Sequence, residues 1–317
     1  MKTVMQAMGR SLRRSWDEGT RIERTAFLVG GLLFLSGLVH LVILTISGGP
    51  WTGPISLRKA TTFGLSFGLT LATVAWVTHF IQLGTVARRV LLGGFTIACV
   101  VETTLVSMQA WRGVPSHFNF STPFDAAVAG TLAFGGMAIV ALTLGFTLSA
   151  FRSVGQNSPS MRLAMRFGFV TLMVALGVGA AMIAVGVTTS QSDPELAYTT
   201  AGFLKPAHAV TMHAILVIPG LAWLLTFTTW PERTRMRIVQ LGAGGYLVLS
   251  VVVLVEAITK VPPLAAPLVP TLLSIVGLAA LVTAGVIGIY GALYRRPEVA
   301  GDQEITRDAR SFTDVGA

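Results

Sequence analysis

Eight runs of apolar residues, near 25–47, 61–83, 90–110, 124–151, 163–188, 207–228, 238–259 and 271–294, alternate with short polar connections. Each run reaches about 20 residues, the length a helix needs to cross roughly 30 Å of hydrocarbon. The pattern predicts an all-α integral membrane protein, a bundle of eight transmembrane helices over 25–294. Ahead of it, in 1–24, Val4, Met8, Leu12 and Trp16 recur at every fourth position, with Arg10, Arg13, Arg14 and Arg21 mostly off that stripe. This is the pattern of an amphipathic helix lying on the cytoplasmic membrane surface. The first apolar run is too long for a signal-peptide core and no small-residue cleavage site follows it. Trp16, Asp17 and Glu18 after Arg13–Arg14 exclude a twin-arginine signal. Residues 295–317 are polar and read as a flexible cytoplasmic tail.

Composition agrees with that reading. The 317 residues are 53% hydrophobic and only 12% charged, outside the range of a soluble domain. The net charge of +9 is dispersed over short connections, which excludes the one-faced footprint of a nucleic-acid binder. Of the 23 Lys and Arg residues, only Arg58, Lys59, Arg112, Lys205 and Lys260 fall in odd-numbered connections. Basic residues are retained in cytoplasmic loops, so both termini are expected in the cytoplasm. The lipid bilayer is the partner implied, and oligomeric state is not encoded legibly. Cys99, the single cysteine, reads as a small buried apolar residue. Gly64 and Gly68 form a GxxxG, and Gly285, Gly288 and Gly291 line the eighth run, both packing features. No Walker or Rossmann sequence is present. A four-plus-four repeat would align the late acids Glu102 and Glu256, although the second and sixth runs share little.

Candidate chemistry concentrates between Glu102 and Asp125. Glu102 and Gln109 are seven residues apart, about two turns, and so project from one helix face. An acid within a span points to a functional pocket or an internal ion pair. Thr122, Pro123 and Asp125 read as the capped start of the fourth helix, while Arg112, His117 and Asn119 occupy the loop. Trp111 and Phe118 suit an interfacial aromatic belt. Even-numbered helices point their partially positive N-termini outward, and Arg58, Lys59, Arg112 and Lys205 lie near three of them. Cations there oppose both the dipole and the charge bias. Either an anionic ligand is drawn to them, or they pair with Glu102, Asp125 or Glu256 and lock the bundle. His208 and His213 open the sixth run five residues apart, about 140° around a helix, so they do not share a face. His40 and His79 lie in the first and second runs, the latter at an interface.

The segments GPISLRKATTFGLSFGLTLATVAW, ETTLVSMQAWRGVPSHFNFSTPFD and HAVTMHAILVIPGLAWLL together resemble a family of bacterial multi-spanning membrane proteins. The resemblance runs from about Trp51 to Leu225, is most specific at SHFN, and implies an inner-membrane location without an activity. A second likeness is to ceramidase-type membrane metallohydrolases. Ser116, His117, Asp125, His208 and His213 supply the residue types of their zinc site, but the late histidines lie five apart here instead of four. The leading expectation is an outward-facing pocket of Lys59, Glu102, Gln109, Arg112, His117, Asn119, Asp125, Lys205, His208 and His213. It would bind or transport a small anionic ligand, coupled to protons. The alternatives are a zinc hydrolase on His117, His208 and His213, a b-type haem held by His40 with His208 or His213, and an accessory subunit.

Overall fold

A computed structural model describes residues 2–53, 55–153, 157–190, 201–262 and 265–294. Among them the chain is all-helical. In order come α1 (Lys2–Asp17), α2 (Arg21–Ser47), α3 (Arg58–Thr78), α4 (Thr85–Trp111), α5 (Pro123–Arg152), α6 (Pro159–Ser190), a 3-10 turn (Ala201–Leu204), α7 (Lys205–Leu225), α8 (Glu232–Ile258) and α9 (Leu268–Leu293). The helices from α2 to α9 are each long and apolar enough to cross a membrane. Most begin a few residues before the apolar run that announced them, because the first turn is polar: Arg21 to Arg24 in α2, Arg58 and Lys59 in α3, Glu232 to Arg237 in α8. Hydropathy marks the hydrocarbon, whereas the helix continues past it. α3 stops at Thr78, ahead of expectation, where i→i−3 bonds from His79, Phe80 and Ile81 tighten the winding. The tail falls outside the described residues.

α1 does carry an amphipathic face, but part of it packs on protein. Val4 is buried against Phe227 and Ala292 with Ala7 and Met8 beside it, and Trp223 Nε1 donates to Ser11 Oγ. Leu12 and Trp16 stay exposed with Met5. The aromatic centre of the bundle joins three helices: Phe95 meets Phe146 edge-on, and Phe146 stacks on Phe169 at 6.1 Å.

Glycine sets two of the closest helix pairs. A Cβ on Gly64 or Gly68 would enter the backbone of α2 at Gly37, Phe34 and Gly30, so the GxxxG of α3 is a backbone seam, as expected. The second seam joins Gly245 of α8 to Gly277 of α9, where each added Cβ would meet the other's carbonyl oxygen. Gly288 and Gly291 instead leave room for Leu221 and for the Trp230 ring, while Gly285 faces open space.

The bundle is an internal duplication. A shift of 147 residues carries α3 onto α7 and α4 onto α8, with both ends of each helix in register. Local details follow the shift. Trp76 meets Phe80 edge-on as Trp223 meets Phe227. Arg88 donates to Ile81 O as Arg235 donates to Thr228 O. Gly113 and Lys260 both adopt positive φ, and the next N–H returns to the carbonyl of Gln109 and of Glu256. A shift of 138 brings α2 onto the start of α6, placing Gly30 on Gly168, which presses against Ile215 as Gly30 presses against Gly68. Each unit contains four of the long helices, so both start at the same end and are related by rotation about an axis along the helices. Trp76 and Trp223 meet each other at 6.1 Å, close to that axis. The two acids Glu102 and Glu256, which a four-plus-four repeat would have aligned, do not correspond under this shift. Glu256 corresponds to Gln109, and Glu102 to Leu249.

Candidate functional site

The starts of α3, α5 and α7 gather at one end of the bundle, beneath the loop 112–122. Two polar arrangements lie there. The first is closed. Thr122 Oγ1 caps α5 by accepting from Asp125 N (3.1 Å) and donates to Asp125 Oδ2 (2.7 Å). Asp125 Oδ1 accepts from Gln109 Nε2 (2.9 Å) and from Arg112 Nη1 (2.5 Å), which also bonds Gln109 Oε1. Asp125 is buried, and both its oxygens are satisfied, Oδ1 by Gln109 of α4 and by Arg112 just past its end, Oδ2 by the Thr122 hydroxyl. The cap expected at the start of α5 is made by Thr122, while the Asp125 carboxylate bonds Thr122, Gln109 and Arg112 and, among the described residues, no helix amide.

The second arrangement is open. Lys59 Nζ lies 3.1 Å from His117 Nδ1, and Ser116 Oγ lies 3.0 Å from the same nitrogen. As an ammonium Lys59 only donates; Nδ1 then accepts from it and the ring proton of a neutral His117 sits on Nε2. Burial, then the neighbouring Lys59 charge, push the His117 imidazole well below its usual range. Phe63 packs edge-on against the ring, and Phe118 reaches across to Gly186 of α6, so the loop covers the cluster. Deeper, Glu102 is 4% exposed, and its Oε1 has no hydrogen-bond partner. That oxygen occupies the space where a Cβ on Gly135 would stand. Lys59 is within Coulombic reach of Glu102, Lys205 and Arg58. Among the described residues none of these three cations has a carboxylate within 4.0 Å. Glu102 and Gln109 do share a face, which meets α5 at Gly135 and at Asp125.

Other expected members stand apart. Asn119 closes its own loop, donating to Pro115 O and accepting from Ser121 N and Oγ. His208 Nδ1 bonds Ala175 O at 2.7 Å, and His213 Nδ1 bonds Ala209 O of its own helix at 2.6 Å. Carbonyl oxygens only accept, so both Nδ1 atoms carry the proton. Among the described residues no three His, Cys, Asp or Glu side chains form a group able to hold a metal ion, and His117, His208 and His213 are not such a set. His40 has both nitrogens occupied, donating to Ser36 O (2.7 Å) and accepting from Trp111 Nε1 (3.0 Å). That leaves no lone pair for haem iron. Glu256 is buried at the end of α8 beside Ala257, and Cys99 is buried and free. Two surface concavities among the described residues, about 550 Å³ between α4 and α5 and about 230 Å³ between α7 and α9, are apolar and are not lined by this cluster.

One buried ion pair escaped the sequence reading. At the opposite end Arg88 bonds Glu23, and also Thr78 O (3.1 Å) and Ile81 O (3.3 Å). Glu23 in turn accepts from Thr20 N (2.7 Å) and Oγ1 (2.8 Å). The Thr-x-x-Glu spacing of a capping box was the available signal. Gly135 carried none, since only its neighbour across the helix interface gives it a role.

No family model, curated protein or solved structure matches the chain.

Proposed function

We propose that the chain is a multi-pass protein of a bacterial inner membrane, with both termini in the cytoplasm and the Lys59–His117 cluster at the outer side. There it binds, and in a transport cycle passes, a small anionic ligand, with Glu102 exchanging a proton. The observation that carries this reading is the uncompensated charge of the cluster. Lys59 stands within Coulombic reach of Arg58, of Lys205 and of one buried carboxylate, Glu102, which forms no ion pair with it and keeps an oxygen unbonded. Like charges gathered without counter-ions are unfavourable, and an anion at helix starts relieves them. An acid inside a span that lacks a fixed partner is the usual carrier of a proton relay. Arg112 and Asp125 neutralise each other, so they frame the site and do not supply charge to it. The basic residues of α1 and of the connections at the Arg88 end support the orientation.

The test is thermal unfolding of the purified chain with inorganic phosphate and a series of small carboxylates. An anion that binds raises the midpoint, and Lys59→Ala abolishes the rise while leaving the fold intact. Glu102→Gln keeps binding but removes its dependence on pH. No stabilisation by any such anion, or the same stabilisation in Lys59→Ala, rejects the reading.

A further inference from the structure

The first half of the duplication keeps a concavity that the second half closes. α8 and α9 meet backbone to backbone at Gly245 and Gly277. The shift of 147 places Gly130 on Gly277, yet a Cβ on Gly130 would meet nothing within 4 Å. Between α4 and α5 about 550 Å³ remains open instead, walled by Val100, Met108 and Phe124 and floored by the smaller Thr104, Ala127 and Thr131. From Val100 to Met108 the groove runs about 12 Å along the helix, close to the roughly 15 Å of hydrocarbon in one leaflet. One turn beyond Met108 stands Arg112, its guanidinium 4.7 Å above the Phe124 ring and its side chain 40% exposed. Only Nη1 is engaged, by Gln109 and Asp125; Nε and Nη2 donate to no other described residue. A guanidinium has five donors in a planar fork that fits two phosphate oxygens.

We propose that the α4–α5 groove holds a membrane phospholipid, with one acyl chain along the groove and its phosphate on the free edge of Arg112. Apolar length, leaflet depth and a phosphate-matching donor at the mouth select this occupant over a second protein. The paired half supplies the control, because the same two helices there close without leaving room for a chain. The site is independent of the anionic ligand proposed above, since it uses the outer face of α4 and not the Lys59 side.

Phosphatidylglycerol added to the delipidated full chain in detergent is expected to raise the unfolding midpoint by several degrees and to be retained as a single lipid in native mass spectrometry. Diacylglycerol with the same acyl chains is expected to do neither. Arg112→Lys, which keeps the charge beside Asp125 but removes the fork, weakens retention about tenfold. Ala127→Phe fills the groove from an exposed position and abolishes retention with the lipid-free midpoint unchanged; Thr104→Phe does the same from the other helix. Equal stabilisation by diacylglycerol overturns the phosphate contact. Undiminished phosphatidylglycerol retention in both filled variants overturns the groove as the site.

Discussion

The two halves of this protein share a register and differ in chemistry. Trp76 and Trp223, Phe80 and Phe227, Arg88 and Arg235, and the positive-φ turn at Gly113 and Lys260 occupy matching positions with matching contacts. At three other positions the correspondence fails. Lys59 is matched by Pro206, Glu102 by Leu249, and Gln109 by Glu256. What recurs closes helix ends, packs helices and starts α3 and α7 with a cation, Arg58 and Lys205; what does not recur is Lys59 and Glu102. A duplicated bundle thus provides its own control for separating architecture from chemistry. The first half shows the same contrast internally. The buried Glu23 has a cap, a guanidinium and a helix start around it, whereas the buried Glu102 has an empty oxygen.

The largest expected effect tests whether matched positions carry equal weight. Arg88→Met strands a buried carboxylate at Glu23 and is expected to cost about 3–5 kcal/mol. Arg235→Met loses mainly a hydrogen bond to Thr228 O, about 1 kcal/mol. Unfolding midpoints of the two variants that fall equally would break the asymmetry. Next comes Gly135→Ala, whose methyl must displace the Glu102 carboxylate. The displaced atoms are the far end of a flexible side chain, so the cost is expected at about 1 kcal/mol, and the variant is expected to lose the pH dependence of anion binding as Glu102→Gln does.

The pH profile of stability sharpens the contrast further. His117 is held neutral in the folded chain, so as pH falls through about 6.5 the unfolded chain takes up the proton first. Stability is then lost toward acid, by up to about 1.4 kcal/mol per pH unit, and is flat in this group above that range. His117→Gln is expected to remove that slope, measured as the difference in midpoint between pH 7.5 and pH 5.5. The smallest effect is on the stability of Glu102→Gln, expected within about 1 kcal/mol of the parent because volume is kept and no fixed partner is lost. A large destabilisation would make Glu102 a structural residue like Glu23.

Several features were legible because they are local. Hydropathy located each long apolar helix, the Thr122–Pro123–Asp125 helix start follows from adjacent residues, and the seven-residue spacing placed Glu102 and Gln109 on one face. The Gly64–Gly68 seam was readable for the same reason. The register of the repeat was not, since the two acids that looked equivalent lie two turns apart on the same face. Nor could the sequence say that Arg112 would be tied to Asp125 while Lys59 would not, that His40 would be saturated by Trp111, or that His208 and His213 would each turn to a carbonyl.

By itself, the order of residues determined an all-helical bundle of eight long apolar helices and the cap that starts α5, because burial of hydrocarbon and satisfaction of helix ends are set by near neighbours. Only the tertiary structure decided which polar groups are satisfied. A hydrogen bond or ion pair between side chains far apart in sequence depends on how helices rotate and approach. Here glycine seams and the packing of two related halves fix that geometry, giving Asp125 its partners and leaving Glu102 without one.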